Sequence, residues 1–252
     1  MKRAIIALSV AFLCAGPALA QTPHEAPSGH KMGPTGMPHE GMGDDHQMEH
    51  HQMMGHGDSG FHRRFNDAAK WAEKFDNPER DVWQKPDQVL EALQLTKNAT
   101  VADIGAGTGY FTVRIAKAVP QGKVLAADVE KDMVDYLSER TKKEGLANVI
   151  AVQATPESAN LPEPADVILV VDTYHHIGNR VDYFKKLQGS LKPNGKLVIV
   201  DFRMDSPDGP PKEHRIPLEK ATAELNQAGY SLSEMKDFLP RQYLAIYIKS
   251  AQ

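Results

Sequence analysis

A glycine-rich stretch that contains one aspartate, DIGAGTG at residues 103–109, offers the clearest chemistry in the sequence. Its glycines stand at every second position, as Gly105, Gly107 and Gly109. Because glycine has no Cβ, the backbone can take positive φ there and a ligand can lie directly against it. The stretch follows an apolar run, 101–104, and precedes a helical pattern, 111–118, so the N–H groups of a helix would point at that ligand.

Two classes of ligand use a glycine loop in this position. A dinucleotide favours the spacing G-x-G-x-x-G, with its pyrophosphate over the helix N-terminus. Here the spacing is G-x-G-x-G, and Asp103 stands two residues before the first glycine, where it would repel a pyrophosphate. S-adenosyl-L-methionine instead carries an α-ammonium and a sulfonium, and it has no phosphate. The pattern therefore favours S-adenosylmethionine and disfavours an NAD-dependent oxidoreductase.

Two further segments extend this pattern. Residues 124–128, VLAAD, end an apolar run with an aspartate, and residues 191–197, LKPNGKL, lead into another apolar run. Together with DIGAGTG, these segments resemble the ordered motifs of class I S-adenosylmethionine-dependent methyltransferases, over about residues 80–248. Asn194 stands where that family usually has a glycine, and asparagine tolerates the left-handed conformation that such a turn would use.

The resemblance implies a set of cofactor contacts. Asp103 and the three glycines would line the cofactor, and Asp128 would hold the ribose hydroxyls. After the predicted third strand no acidic residue occurs before Glu157. The adenine contact is therefore expected to run through the backbone at Ala154 and Thr155.

The residues that follow the predicted fourth strand, DTYHH at 172–176, are the candidates for chemistry. In the fold that the resemblance implies, this strand end faces the transferable methyl group, and Asp172 belongs to the cofactor site. Positioning supplies much of the rate of an in-line transfer, and a base is needed only where the acceptor must lose a proton. His175 or His176 would serve as that base, since imidazole titrates near neutrality. The alternative is that one histidine caps the next helix or packs on the sheet.

The elements that must position these residues alternate along the chain. Apolar, β-branched runs alternate with helical patterns, which predicts a parallel sheet covered on both faces. Strands are predicted at 101–104, 124–127, 149–152, 167–171 and 196–201, and helices at 111–118, 133–143 and 183–191. A helix that starts near 214 and strands at 230–237 and 243–248 complete the pattern. The predicted fold is α/β, with a doubly wound, mostly parallel, seven-stranded Rossmann-like sheet and an antiparallel C-terminal strand.

A helical lead-in, residues 61–95, precedes the first strand and is interrupted at Asn77-Pro78. In small bacterial methyltransferases of similar appearance this segment folds over the cofactor. The alternative is an exposed helix end that Trp83 anchors. The candidate residues are Arg80, Trp83, Gln84 and Lys85. His214 and Arg215, near the C-terminal helix, stand where a lid over the substrate would enter.

The first twenty residues have the pattern of a secretory signal peptide. Lys2 and Arg3 precede a short apolar stretch, and the small residues before position 21 predict cleavage after Ala20. The apolar stretch is too short to span a bilayer, so an N-terminal anchor or a buried helix is the weaker alternative. We therefore expect a periplasmic or secreted protein without a stable membrane span. Cys14, the only cysteine, would be lost with the peptide.

The next segment, residues 21–60, is rich in glycine, proline, histidine and methionine and contains no valine, isoleucine, leucine or aromatic residue. Such a composition cannot bury enough apolar surface to offset the entropy of ordering, which predicts a disordered tail. Imidazole suits Cu, Ni and Zn, and the thioether suits Cu(I). The densest candidate ligands are His46, His50, His51, Met53, Met54 and His56. The alternative is a solvated linker.

The remaining residues, 61–252, are predicted to form the methyltransferase domain. A net charge of -4 and a pI near 6.3 do not provide the basic surface that nucleic-acid binding needs. We expect a monomer that methylates an unidentified small-molecule or protein acceptor. The alternative is a catalytically inactive S-adenosylmethionine-fold binding protein that carries a copper-type tail.

Overall fold

A computed structural model describes Phe65 and residues 67–251, so the predicted signal peptide and the histidine- and methionine-rich tail lie outside the described residues. The strands are β1 Thr100–Ile104, β2 Lys123–Asp128, β3 Val149–Gln153, β4 Ala165–Val171, β5 Leu191–Phe202, β6 Tyr230–Lys236 and β7 Gln242–Lys249. The α-helices are α1 Ala68–Phe75, α2 Glu79–Gln84, α3 Pro86–Leu93, α4 Tyr110–Ala118, α5 Lys131–Lys143, α6 Arg180–Leu187 and α7 Leu218–Gln227.

The seven strands form one sheet in the order β3-β2-β1-β4-β5-β7-β6. Strands β1 to β5 run parallel, and β7 is inserted antiparallel between β5 and β6. This arrangement confirms the predicted fold. The chain reverses its direction of travel across the sheet between β1 and β4, and ligands of such sheets bind beside the carboxyl ends of the strands at this point.

Alternate residues of the central strands enter two apolar layers, one on each face. In β4, Val167 and Leu169 pack with residues of α3 and α4, while Ile168 and Val170 pack with residues of α6 and α7. Side chains of successive strand residues point to opposite faces, so a continuous apolar run is required where helices cover both faces. Among the described residues, no helix is both long enough and apolar enough to cross a membrane.

The predicted helical lead-in is divided twice rather than once. The expected break at Asn77-Pro78 separates α1 from α2, and a second break at Lys85 separates α2 from α3. Lys85 has a φ of 44°, and Pro86 is the first residue of α3. The ring of a proline disfavours the right-handed helical conformation of the residue before it, which explains why the helix cannot continue through Lys85.

The predicted turn at residues 191–197 is instead part of a long, irregular strand. The helix expected to reach Leu191 ends at Leu187, and β5 begins at Leu191. Its pairing with β4 skips the residues between Leu191 and Lys196, and Asn194 is not among the residues with positive φ. The expectation of a left-handed Asn194 was therefore wrong. Gly195 is needed for close approach, since a Cβ there would lie 2.7 Å from Leu191 Cδ1.

Candidate cofactor and catalytic site

The glycine loop joins β1 to α4, and its three glycines have φ values of 73° at Gly105, 54° at Gly107 and 96° at Gly109. A Cβ at Gly105 would overlap the side chain of Thr173, which follows β4. A Cβ at Gly109 would overlap Leu137 of α5. The loop is therefore packed so closely against the end of β4 and against α5 that only glycine fits at these two positions.

Asp103 lies beneath this loop and is almost completely buried, with 3% of its surface exposed. Its Oδ2 accepts a hydrogen bond of 2.6 Å from the hydroxyl of Thr112, in the first turn of α4. Burial raises the pKa of Asp103 to about 6, and the negative charge of Asp128 adds to the effect, while the Thr112 hydroxyl and Arg80 oppose it. A cation bound nearby would stabilise the ionised form of this carboxyl group.

Asp128 ends β2 and faces the same loop. Its Oδ2 accepts the backbone N–H of Gly107 at 2.8 Å, and its Oδ1 accepts the N–H of Glu130 at 2.9 Å. Burial raises the pKa of Asp128, and these two N–H groups act in the opposite direction. Each carboxylate oxygen can accept more than one hydrogen bond. Asp128 therefore fixes the middle of the glycine loop and keeps the capacity to bind hydroxyl groups.

The residues expected at the adenine lie next to Asp128. The buried Ala154 donates its N–H to the carbonyl of Asp128 at 2.9 Å. Thr155 is exposed and forms a short antiparallel bridge with Ser158. Asp103, Asp128 and Ala154 thus lie around one glycine loop, with two buried carboxyl groups at the ends of adjacent strands. Such carboxylate acceptors suit a ligand that has a cationic group and several hydroxyls.

Helix α1 covers the glycine loop from outside. The ring of Phe75 is the nearest group to Gly107, at 3.6 Å from the position that a Cβ would take. At the end of α1, Arg140 of α5 donates to Asp76 Oδ2 and to the carbonyl of Thr108, both at 2.8 Å. The first helix of the lead-in is therefore attached both to the loop and to a helix of the domain.

Helix α2 reaches the end of β4 through a polar cluster around the partly buried Asp172. The carboxylate of Asp172 accepts hydrogen bonds from Gln84 Nε2 at 3.2 Å, from Arg80 Nη2 at 3.4 Å and from Gln242 Nε2. Gln84 Nε2 also donates to Gln242 Oε1 at 2.9 Å, and both glutamines are fully buried. Burial raises the pKa of Asp172 to about 6, while Arg80 acts to lower it. Asp172 thus connects α2, β4 and β7.

The other lead-in residues make separate contacts. The ring of Trp83 packs on Phe202, with ring centroids 5.9 Å apart, and the guanidinium of Arg241 lies 5.1 Å from the Trp83 ring. Lys85 donates to the carbonyl of Phe238 at 2.8 Å. These contacts attach α2 to the end of β5 and to the loop before β7.

The two candidate bases, His175 and His176, have different surroundings. His175 is buried, and its Nδ1 lies 2.8 Å from Oδ1 of Asp201, at the carboxyl end of β5. His176 is only partly buried, and its ring meets the edge of Phe65 at a centroid distance of 5.6 Å. The structure thus pairs a carboxylate with His175 and packs an aromatic ring against His176.

Arg215 stabilises the loop between β5 and α7. Its guanidinium donates to the carbonyls of Ser206 at 2.6 Å and Pro210 at 2.9 Å. His214 ends a short 3₁₀ helix, and α7 begins at Leu218 rather than near 214 as predicted, because Pro217 occupies the N-cap position. A role of His214 and Arg215 in a lid stays a prediction.

Comparison with known proteins identifies the family of this site. The sequence pattern of a family described as a methyltransferase domain matches residues 95–238, which is more than half of the chain. The chain belongs to this methyltransferase family. Among solved structures, a SAM-dependent methyltransferase from Aquifex aeolicus is similar, with a TM-score of 0.67 and 28% identity, covering 73% of this chain and 98% of that one.

Curated relatives of this methyltransferase match over shorter segments. The ubiquinone/menaquinone biosynthesis C-methyltransferase UbiE of Azotobacter vinelandii is 30% identical over 120 residues, which are 46% of this chain and 47% of that protein. A demethylmenaquinone methyltransferase of Staphylococcus carnosus is 26% identical over 148 residues, 56% of this chain and 59% of that protein. The chain thus spans about half the length of these relatives. With the fold, these findings place the chain in the class I S-adenosylmethionine-dependent methyltransferase family.

In this methyltransferase, the predicted residues divide into two groups. The first group lies at the loop between β1 and α4: the loop contains the three glycines, and Asp103, Asp128 and Ala154 surround it. The second group, Asp172, His175 and His176, follows β4. Gly105 joins the groups, because it lies directly against Thr173. The individual roles of these residues, including backbone contacts of Ala154 and Thr155 with adenine, stay predictions. The candidate metal ligands lie outside the described residues.

Sequence reasoning missed several residues of the site. Thr112, Asp201 and Gln242 were not singled out, Phe75 was expected only as a packing residue of the lead-in, and Gln84 was considered only as part of the lead-in. A signal existed for Asp201 and Gln242, since each is a polar residue beside a buried apolar strand segment. No such signal marked Phe75, because an aromatic residue in a helical segment usually indicates ordinary core packing.

Proposed function

We propose that this methyltransferase binds S-adenosylmethionine at the glycine loop and transfers its methyl group to a small-molecule acceptor. The observation that carries the proposal is the pair of buried carboxyl groups, Asp103 and Asp128, on either side of a loop whose conformation requires glycine. The named relatives act in quinone biosynthesis, on small molecules, which supports an acceptor of that kind. A protein acceptor is the alternative that the test must separate.

Each residue of the cradle has a role in this proposal. Asp103 stabilises the positive charge of the cofactor, and Asp128 accepts hydrogen bonds from its ribose hydroxyls. The backbone around Gly107 lies against the ligand, and Ala154 and Thr155 contact the adenine. When bound, S-adenosylmethionine supplies a methyl group on a positively charged sulfur. The chain's own residues bind and orient both reactants and keep water away from them.

Calorimetry on a glycine pair tests the binding. Gly107→Val should abolish binding of S-adenosylmethionine, because the side chain would occupy the surface on which the ligand lies. Gly145→Val is the matched control: its φ of 69° imposes similar backbone strain, but no atom lies within 4 Å of its Cβ. Tight binding of NADH, or equal loss of binding in both variants, would contradict the proposal.

A product analysis tests the reaction itself. The full chain is incubated with methyl-labelled S-adenosylmethionine and a small-molecule extract of its native compartment. Label in a small molecule, with formation of S-adenosylhomocysteine, is the expected result. Label found only in protein would favour a protein acceptor. Binding of S-adenosylmethionine without any transfer would favour the catalytically inactive binding protein, which no observation on the described residues supports.

We propose that residues 21–60 bind copper, and nickel or zinc less selectively. The support is the density of histidine and methionine ligands in this sequence, including His46, His50, His51, Met53, Met54 and His56. Neutral imidazole is the ligand, so the affinity should fall as the pH drops through the histidine pKa of about 6.5. Deletion of residues 21–60 should remove the binding measured by titration, and unchanged metal stoichiometry would contradict it.

We propose export to the periplasm or the exterior, with cleavage after Ala20. The charged start, the apolar stretch and the small residues before position 21 support it. N-terminal sequencing of the extracytoplasmic fraction should begin at Gln21. An intact N-terminus found only in the cytoplasm would contradict export, and it would explain directly how the domain obtains a cofactor that is made there.

We propose that the protein is a monomer. The support comes from the edge strand β6, where the pairing with β7 is irregular between Leu232 and Glu234 and where Glu234 and Lys236 carry charge. Irregular pairing and charged side chains at a sheet edge disfavour pairing with a second copy. Light scattering on the full chain should give the mass of one chain, and a dimer mass at micromolar concentration would contradict the proposal.

A further inference from the structure

The imidazole of His175 is held at only one of its two nitrogens. Nδ1 lies 2.8 Å from Oδ1 and 3.0 Å from Oδ2 of Asp201, and both side chains are buried. Within the described part of the chain, Nε2 of His175 has no hydrogen-bond partner. Among the residues that the structure describes, the fully enclosed side-chain atoms without a partner are Asp76 Oδ1 and Thr108 Oγ1, and Nε2 of His175 is not one of them. Nε2 is therefore free to meet a ligand.

The carboxylate of Asp201 has a fixed orientation. The backbone N–H of His175 donates to Oδ2 at 3.1 Å, and the N–H of Phe202 donates to Oδ1 at 2.7 Å. Two backbone N–H groups and Nδ1 of the ring thus point at this one carboxylate, whose ionised oxygens can only accept hydrogen bonds. In the neutral ring, the proton therefore resides on Nδ1, and the lone pair resides on Nε2.

The position of the pair links it to the cofactor loop. His175 follows β4 by four residues, and Asp201 lies near the end of the neighbouring strand β5. Between β4 and His175 lies Thr173, against which Gly105 of the glycine loop packs. The pair and the loop thus share the carboxyl edge of the sheet on the two sides of the β1–β4 crevice, where ligands of this fold bind.

The charged groups around the ring favour the imidazolium form. Burial opposes protonation of His175, but Asp201 of β5 outweighs it and Asp172 after β4 adds to the effect, while Arg180 of α6 opposes it, so that the pKa of His175 is raised. On β7, Tyr243 faces Asp201 as a neutral phenol, because burial raises its pKa well above 10. A ring that has taken up a proton is therefore stabilised by its surroundings.

We propose that His175 is the general base of the methyl transfer and that Asp201 is its positioning residue, which implies an acceptor that carries a proton on its reacting atom. The inference rests on the proposed function. The acceptor atom forms its bond to the methyl carbon, and the methyl–sulfur bond breaks with its electron pair retained on sulfur. The proton of the acceptor passes to Nε2 of His175, and Asp201 stabilises the imidazolium. The ring of His176 instead packs against Phe65, whereas the carboxylate of Asp201 lies at His175.

Nuclear magnetic resonance of the full chain with ¹⁵N-labelled histidine tests the pair without knowledge of the acceptor. The chain has 11 histidines, so His175→Gln identifies the signals of His175, and His176→Gln is the matched control. In the wild type at high pH, Nε2 should be unprotonated, and its signal should shift when S-adenosylhomocysteine is added. In Asp201→Asn the tautomer should invert, placing the proton on Nε2. The analogous change in the Ser-His-Asp triad lowers kcat about 10⁴-fold by imposing the wrong tautomer.

Two results would overturn the proposal. One is a wild-type ring with its proton on Nε2. The other is an Nε2 signal that does not respond to S-adenosylhomocysteine when calorimetry shows that this ligand binds, because a purely structural pair predicts no response. Both measurements use the wild type, so they remain decisive if Asp201→Asn does not fold. Calorimetry without any binding would instead overturn the proposed function, while the tautomer would still report the geometry of the pair.

Discussion

The two halves of the site are built in different ways. At the ends of β1 and β2, backbone groups shape the site: three glycines take positive φ, and Asp128 accepts the N–H of Gly107. At the ends of β4 and β5, side chains shape it: Asp172 is held by Gln84 and Gln242, and Asp201 holds the ring of His175.

This difference in construction matches a difference in the tasks that we propose for the two halves, cofactor binding in the first and positioning and chemistry in the second. The cradle is made of backbone groups and two carboxylates, and its shape comes from the positive φ of its own three glycines. The polar clusters of β4 and β5 depend on residues from α2 and β7 that lie far away along the chain. We therefore expect substitutions in the first half to alter binding of the cofactor and substitutions in the second half to alter positioning and chemistry.

The largest expected effect is that of Gly105→Val, which would break the connection between the halves. Its side chain would overlap Thr173, and its φ of 73° is unfavourable for valine. Overpacking costs about 1–3 kcal/mol and the left-handed conformation about 1–2 kcal/mol, so the free energy of unfolding should fall by roughly 2–5 kcal/mol. Urea unfolding measures it. In Gly145→Val only the conformational cost applies, and an equal loss there would contradict this explanation.

The next effect concerns the cofactor half alone. Asp128→Ala removes a carboxylate that accepts the N–H groups of Gly107 and Glu130 and, in our proposal, two hydroxyls. Loss of such charge-assisted bonds should weaken binding of S-adenosylmethionine by about 1.5–3 kcal/mol. Calorimetry of Asp128→Ala beside Asp128→Asn measures the loss. Unchanged affinity in the alanine variant would remove Asp128 from the binding site.

A third prediction concerns Asp103, in the half of the site at the ends of β1 and β2, and the pH dependence of its contribution to stability. Burial raises the pKa of Asp103 in the folded protein to about 6, above its value in an unfolded chain. The folded state therefore binds this proton more tightly, and the contribution of Asp103 to stability is lost as the pH rises from about 4 to 6. Asp103→Asn lacks this loss, so its stability relative to the wild type should increase over that interval by roughly 1–3 kcal/mol. If the difference in unfolding free energy between Asp103→Asn and the wild type is the same at pH 4 and at pH 7, the raised pKa of Asp103 is contradicted.

The smallest expected effect measures the long-range contacts of the other half. Gln84 and Gln242 both donate to Asp172, and Gln84 also donates to Gln242, although the two lie 158 positions apart in the sequence. Gln84→Leu, Gln242→Leu and the double variant form a cycle whose coupling energy should be about 0.5–1.5 kcal/mol, since contacting residues are not additive. Chemical unfolding gives the values. Additive losses would mean that the two glutamines act independently of each other.

The sequence by itself determined the parts of this protein that depend on neighbouring residues. The spacing of the glycines, with Asp103 before them, predicted the strand, loop and helix that the structure has at β1 and α4, and the apolar run before Asp128 predicted β2. The cofactor contacts of these residues stay a prediction. The alternation of strands and helices predicted the sheet, because each strand buried on both faces must be apolar throughout. Even the break at Asn77-Pro78 followed from local backbone preferences.

Only the tertiary structure decided the other half. Asp201 meets His175 because β4 and β5 are neighbours, and Gln242 meets Asp172 because β7 is inserted antiparallel beside β5. The conformation of Asn194 was also decided by the sheet. A left-handed turn was expected there, but the residue lies in β5, where the pairing with β4 is irregular. A local pattern specifies the conformation of its own backbone, but which side chains meet across strands depends on the order and register of the whole sheet.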